Sequence, residues 1–332
     1  MRLDFTSEVY KEKALSINNV NYNNNITSAD AFFIVLAGLD YETIDNLCEA
    51  VKNILAFQDS KKIYEFIQTG NCNIEFRQIV LDTAYELIHS NINLGNKIVN
   101  EKYNASAWIA HSLYEGEVAS TLASKMNLDE DTAKKLGILH DIGRKFDHTF
   151  MHVIKGYEYL LMKGLKDEAI CSLTHSFLSI PYDNELKGNR CANCDPSCEG
   201  FYIDELGNGL FKEEKYKDDI TLFLEKYNYN EYDVILNISD LMAMSSGIVS
   251  PYDRVDDVYT RKTPDPINSS FFKVCFINTL RRVMYSITND DKYIEIYNIN
   301  EVSDIENLFI NTSNEFMQMY NNLIKNNSKV IK

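Results

Sequence analysis

Apolar residues recur at helical spacing along nearly the whole chain, and this periodicity constrains the fold more than any other feature. Phe32, Phe33, Val35 and Leu36, then Ile44, Leu47, Val51, Ile54 and Leu55, predict two amphipathic helices within 28–57. The same spacing predicts helices over 60–69, stopped by Gly70, and over 74–89. It returns over 105–126, 128–141, 151–163, 166–177, 232–244, 267–287 and 303–326, while strand-like alternation is scarce. Amphipathic helices bury their stripes by packing on one another, so the expected fold class is all-α. With 332 residues, 45% of them hydrophobic, the chain can bury a sizeable core.

Residues 181–231 break the pattern. Pro181, Gly188, Pro196, Gly200, Gly207 and Gly209 among many charges read as an irregular insertion. Within it, Cys191, Cys194 and Cys198 form a candidate site for an additional zinc, since the first two have zinc-knuckle spacing. A closed structural zinc needs four ligands, and Cys171, Asp195 or a partner chain would have to supply the last. An iron–sulfur site and free thiols are the competing readings. Cys48, Cys72, Cys171 and Cys275 stand apart in apolar patterns and read as small core residues.

The net charge of −16 argues against a nucleic-acid scaffold, because binding a phosphate backbone requires a basic stripe. The first residues form no signal-like apolar run, and no stretch approaches the roughly 18 apolar residues of a membrane span. The expectation is a soluble, cytoplasmic protein without membrane contact.

Five of the six histidines fall within 65 positions, from His111 to His175. Imidazoles and carboxylates held on several helices around one cavity are how helical proteins build divalent-metal sites. His140-Asp141 closes an apolar helix carrying Leu136, Ile138 and Leu139. Neighbours on a helix diverge by about 100°, so both face one ion only where the backbone bends, which Gly143 permits.

His111, the run from Gly137 through His140-Asp141 to Gly143-Arg144, and Asp240 within Asn237-Ile-Ser-Asp240-Leu-Met together resemble the HD-domain superfamily of metal-dependent phosphohydrolases. His152 in His152-Val-Ile-Lys-Gly156 and His175 in Leu173-Thr-His175-Ser-Phe resemble the two additional histidines of dinuclear members. The resemblance implies that His111, His140, Asp141 and Asp240 hold a first metal, and His152 and His175 a second, with Asp141 bridging. His148 competes with His152, and Asp233 with Asp240; Ile238, Leu241 and Met242 set Asp240 against an apolar helix face. The 65 positions between His175 and Asp240 exceed what compact members need.

The implied organisation is an HD helical bundle over 101–262 containing the insertion 181–231. A helical extension, 1–100, precedes it and a helical segment, 263–332, follows. A mixed imidazole–carboxylate set suits Mn, Fe, Co, Ni or Zn, with Mg used by some members. The implied activity is hydrolysis of a phosphoester or phosphoanhydride in a small, anionic, nucleotide-like substrate. Asp141 would orient the metal-activated water, with Arg144 and Lys155 as candidate catalytic cations; Arg254 and Arg261 read as solvated surface charges. The rival readings are an HD-type di-iron oxygenase using the same ligands, and a non-catalytic metal- or nucleotide-binding regulator.

Overall fold

Short polar side chains at the helix starts accept from backbone N–H groups that have no partner within the helix. In the computed structural model of the chain, Thr27 and Asp30 form a reciprocal capping box, as do Asn230 and Asp233. Asp59 accepts from Lys61 N and Asp129 from Thr132 N in the same way. Gly70 ends its helix in the left-handed conformation, at φ 70°.

The structure describes residues 26–39, 41–56, 59–70, 72–94, 105–148, 151–176, 227, 230–262, 266–293 and 305–330. Cys191, Cys194, Cys198 and nearly all of the insertion lie outside these residues.

Among the described residues there are twelve α-helices and one two-stranded sheet. The N-terminal helices are α1 (Ser28–Leu36), α2 (Tyr41–Leu55), α3 (Ser60–Thr69) and α4 (Ile74–Leu94). Next come α5 (Ala105–Lys125), α6 (Glu130–Leu139), a 3₁₀ turn (Ile142–Lys145), α7 (His152–Met162) and α8 (Lys166–Thr174). After the insertion, α9 (Glu231–Asp240) leads into antiparallel β1 (Ala243–Met244) and β2 (Gly247–Ile248), then α10 (Pro251–Lys262). The chain continues with α11 (Pro266–Thr288), a 3₁₀ turn (Asp291–Tyr293) and α12 (Ile305–Val330). The protein is all-α, apart from this small hairpin.

α5 and α6 lie along each other and α9 packs on both; α7 pairs with α8, which in turn touches α6 and α9. α1 packs on α6, where Ser28 Oγ donates to Asp131 Oδ1 at 2.5 Å. α11 pairs with α12 and reaches the bundle through α9. One continuous apolar core includes Leu36, Leu113, Leu122, Leu136, Tyr157, Ile235, Phe309 and Phe316. Its members come from described helices on either side of the positions near 100 and 262, from α1 to α12.

Three local features differ from the sequence expectation. The helix expected over 232–244 ends at Asp240, and the chain turns into the hairpin, whose strands are too short to show alternation. α10 was not anticipated, because PYDRVDDVYTRK is mostly polar and carries only a thin apolar stripe. Gly143, expected to release a bend, has no left-handed φ; the chain instead tightens from Asp141 (φ −97°, ψ 12°) into the 3₁₀ turn.

Gly143 matters for close approach. A Cβ there would lie 1.8 Å from His152 O and 2.5 Å from Gly156 N, and one on Gly156 would lie 2.0 Å from Ser172 Oγ. The missing side chains let α7 run directly over the 3₁₀ turn. Gly116 and Gly137 do the same for α5 and α6, since a Cβ on Gly137 would sit 2.8 Å from Gly116 Cα and N. These two crossings bring the histidine-bearing helices together.

Candidate metal centre

The two glycine crossings place His111 (α5), His140 and Asp141 (end of α6), His152 (α7), His175 (end of α8) and Asp240 (end of α9) around one point. All but Asp240 are buried. His111 Nε2 lies 3.1 Å from Asp240 Oδ1 and 3.9 Å from Asp141 Oδ2. His140 Nε2 is 3.4 Å from Asp141 Oδ2. On the other oxygen, Asp141 Oδ1 is 3.0 Å from His152 Nε2 and 3.6 Å from His175 Nε2, and the two imidazole nitrogens are 3.3 Å apart. Asp141 thus faces histidines from both of its oxygens, which is the disposition of a bridging carboxylate.

Backbone carbonyls fix which ring nitrogens are free. His111 Nδ1 contacts Ala243 O at 3.0 Å, His140 Nδ1 contacts Gly137 O at 2.6 Å, and His175 Nδ1 contacts Cys171 O at 3.2 Å. A carbonyl oxygen only accepts, so each Nδ1 carries a proton, and in the neutral imidazole that a metal binds each Nε2 turns a lone pair inward. Such outer hydrogen bonds orient imidazoles for metal binding. Further contacts hold the frame: Ser172 Oγ donates to His140 O at 2.8 Å, and Asn237 Nδ2 to His175 O at 2.8 Å.

The result is a buried cluster of imidazoles and carboxyl groups. Burial opposes the charge on His140, yet Glu115 and Asp141 together hold its imidazole protonated well above the ordinary range when no metal is bound. His140 Nε2 and Asp141 Oδ1 have no hydrogen-bond partner, and neither have Glu115 Oε1 and Oε2. Leaving so many buried lone pairs unsatisfied is costly unless cations lie among them. Donor type, burial and tautomer therefore fit a divalent-metal centre. Two groups have their donor atoms within 4.8 Å of one another: His111, Glu115, His140 and Asp240, and His140, Asp141 and His175.

Electrostatics in the metal-free chain agree with that chemistry. Burial opposes the charge on Asp141, yet Arg144, His140 and His152 hold its carboxyl well below the usual range. Burial likewise opposes the charge on Asp240, whose carboxyl is nonetheless held below the usual range by His111, when a proton sits on its Nε2, and by the nearby Arg254. Burial, followed by the charge of His140, pushes His175 down to about 3, leaving its imidazole neutral and able to ligate. Burial pushes Glu115 up to about 8 against the pull of His140.

The remaining sequence candidates divide. Arg144 Nε contacts Asp141 Oδ2, so this cation reaches the centre. Lys155 does not join it: three positions after His152, the side chain turns outward and its ammonium lies 3.9 Å from Asp147. Arg254, read as a surface charge, instead lies 3.6 Å from Asp240 Oδ1 and 3.4 Å from Asp257. The unanticipated α10 carries it there. His148 is exposed while His152 is buried. Asp233 accepts from Thr174 Oγ1 at 2.9 Å, Tyr227 OH at 2.8 Å and Asn230 N at 2.9 Å, tying α9 to α8 rather than entering the centre. Glu115 was missed. Its only sequence signal is the spacing His111-x-x-x-Glu115, which puts both side chains on one helix face.

A helical bundle with a histidine–aspartate centre of this order defines the class, and residues 108–182 match the HD domain family. The chain carries an HD domain. Its relatives include Ribonuclease Y of Fervidobacterium nodosum, 41% identical over 64 residues, covering 19% of this chain and 12% of that protein. Ribonuclease Y of Campylobacter curvus is 36% identical over 88 residues, covering 25% of this chain and 17% of the relative. Ribonuclease Y of Campylobacter hominis is 35% identical over 102 residues, covering 30% and 19%. The chain thus spans less than a fifth of the length of these relatives. No solved structure gives a significant match. Among the described residues, no helix is long and apolar enough to cross a membrane.

Proposed function

We propose that the centre is a divalent-metal phosphohydrolase site that cleaves a phosphoester or phosphoanhydride bond of a small nucleotide-like anion. The observation that carries this reading is the convergence of four imidazoles and two aspartates, with three Nε2 atoms directed inward by backbone carbonyls. Bound divalent metal supplies a Lewis acid for a phosphoryl oxygen and a coordinated water acidified toward neutrality.

The chain's own residues do the rest. Asp141 is held by Arg144 and sits between His140 and His152, so its carboxylate is fixed in orientation before substrate arrives. Arg144 and Arg254 stand at Asp141 and Asp240 respectively, on two sides of the centre. Both guanidinium groups are partly exposed and their forks match phosphate oxygens, so each can clamp an incoming phosphate. With a net charge of −16, the surface favours a small anion drawn in by a local cationic centre over a long polyanion. A cytoplasmic setting without membrane contact belongs to the same proposal.

A second reading, cleavage of an RNA phosphodiester, is favoured by the ribonuclease names of the relatives. The test is a panel of mononucleotides, dinucleotides and an RNA oligonucleotide, offered to chain loaded with Mn²⁺ or Fe²⁺ under nitrogen and in air. Metal-dependent cleavage of small nucleotides under both atmospheres supports the proposal, and preferential RNA cleavage selects the second reading. Turnover only in air, with no phosphoester cleaved, would point to the oxygenase and refute both.

A further inference from the structure

A seventh side chain aims into the centre. Glu115 lies one helical turn after His111 on α5 and is 0% exposed. Its Oε2 stands 2.9 Å from His140 Nε2 and 3.8 Å from His111 Nε2. Neither carboxylate oxygen has a hydrogen-bond partner. Both imidazoles keep an Nδ1 proton on Gly137 O and Ala243 O, so in their neutral form the nitrogens facing Glu115 present lone pairs to a metal. A carboxyl oxygen 2.9 Å from an imidazole nitrogen needs a proton or a cation between them, and a metal ion satisfies this oxygen together with the donors of His111 and Asp240. Among the described residues, no lysine or arginine pairs with Glu115; its ionic neighbours are the two histidines.

The backbone explains why Glu115 is driven there. Gly116 follows it, and α6 crosses so closely that a Cβ on Gly116 would lie 2.9 Å from Lys134 O. Glu115 is fully buried beside this crossing. The pocket therefore holds a fully buried carboxyl group beside two imidazoles, a place where an anion is costly without a cation and favoured with one.

Resting on the metal-dependent reading above, we propose that Glu115 is a direct ligand of the first metal. It would join His111, His140 and Asp240, while Asp141 bridges to a second ion at His152 and His175. Donors of the first four lie within 4.8 Å of one another, close to the roughly 4.2 Å that separates opposite ligands of an ion with bonds of about 2.1 Å. A modest contraction on binding closes the set. Three carboxylates around two divalent ions leave a smaller positive surplus than two would. The first ion then sees an oxygen-rich environment that suits Mn²⁺ or Fe²⁺ better than Zn²⁺.

The test is titration of the chelator-stripped full chain with Co²⁺, Mn²⁺ and Zn²⁺, following heat and the visible spectrum of bound Co²⁺. With Cys191, Cys194 and Cys198 replaced by serine in every chain compared, the chain otherwise unchanged is expected to bind two ions. Glu115→Gln should weaken one of them by about tenfold or more and leave the other within about threefold. It should also lose more affinity for Mn²⁺ than for Zn²⁺, with a changed Co²⁺ spectrum. Two ions bound at unaltered affinity with an unchanged spectrum overturn the proposal, even if turnover falls. Should Glu115→Gln fail to fold by circular dichroism, Glu115→Asp decides in its place. Weakened first-ion binding in that folded variant supports ligation, and unaltered binding overturns it. A chain retaining Glu115 that binds no divalent ion removes the metal reading itself, an outcome distinct from the failure of Glu115 alone.

Discussion

Gly137→Ala offers a test in which two physical effects have opposite signs. In a helix interior, alanine is favoured over glycine by about 1 kcal/mol, so propensity alone predicts stabilisation. The structure predicts the reverse. The added Cβ would sit 2.8 Å from Gly116 Cα and N and 3.1 Å from Glu115 C, all backbone atoms that no rotamer change can move. Ordinary carbon contacts are about 3.5–4.0 Å, so α5 and α6 must part by about 0.7 Å or more. Overpacking of this kind costs about 1–3 kcal/mol, and rigid neighbours place it at the upper end. The expected balance is a loss of about 1–2 kcal/mol in chelator-stripped protein, read from urea midpoints at unchanged m. Because the same separation moves Glu115 from His140, metal affinity should fall about tenfold or more. Gly164→Ala is the control: its φ of 78° strains an alanine by about 1–2 kcal/mol, yet nothing lies within 4 Å of the added atom. It should lose stability and keep its metal affinity. If Gly137→Ala is as stable as wild type and binds metal as tightly, the helix crossing does not shape the centre.

Arg254→Ala and Arg144→Ala should each raise KM for a phosphate substrate, by about tenfold for loss of a charged hydrogen bond, and unaltered steady-state kinetics would remove them from phosphate binding. Burial pushes the Asp233 carboxyl up to about 6, from an unfolded value near 4, so the folded chain binds the extra proton and loses stability as pH rises through that range. The gap corresponds to about 3 kcal/mol; Asp233→Asn should therefore flatten urea-midpoint stability between pH 4 and pH 7, and an unchanged slope would contradict this. Lys135 and Glu168 form a buried ion pair at 3.0 Å joining α6 to α8. Lys135→Met alone should cost about 3–5 kcal/mol and Lys135→Met with Glu168→Leu much less, whereas equal losses in both would argue against coupling.

The helical class and most of the centre were legible because their signals are local. Leu136, Ile138 and Leu139 mark an apolar helix, and a His-Asp pair at its end is conspicuous there. Glu115 was not legible, since a glutamate four residues after a histidine resembles any solvated helix pair until the Gly116–Gly137 crossing buries it. Lys155 looked well placed by sequence distance, but the turn of α7 faces it toward Asp147. Arg254 was discounted because α10 has a polar sequence, and only its packing beside Asp240 carries the guanidinium inward. The hairpin at Ala243 was equally hidden, although its carbonyl fixes the tautomer of His111.

The most direct measurement is elemental analysis of the full chain purified without chelator, with Cys191, Cys194 and Cys198 replaced by serine so that only the histidine–aspartate centre can retain metal. The account predicts two divalent ions per chain, and at most one in the same background carrying Asp141→Ala. A folded chain with no bound metal that takes up none from excess Mn²⁺, Fe²⁺ or Co²⁺ would contradict it.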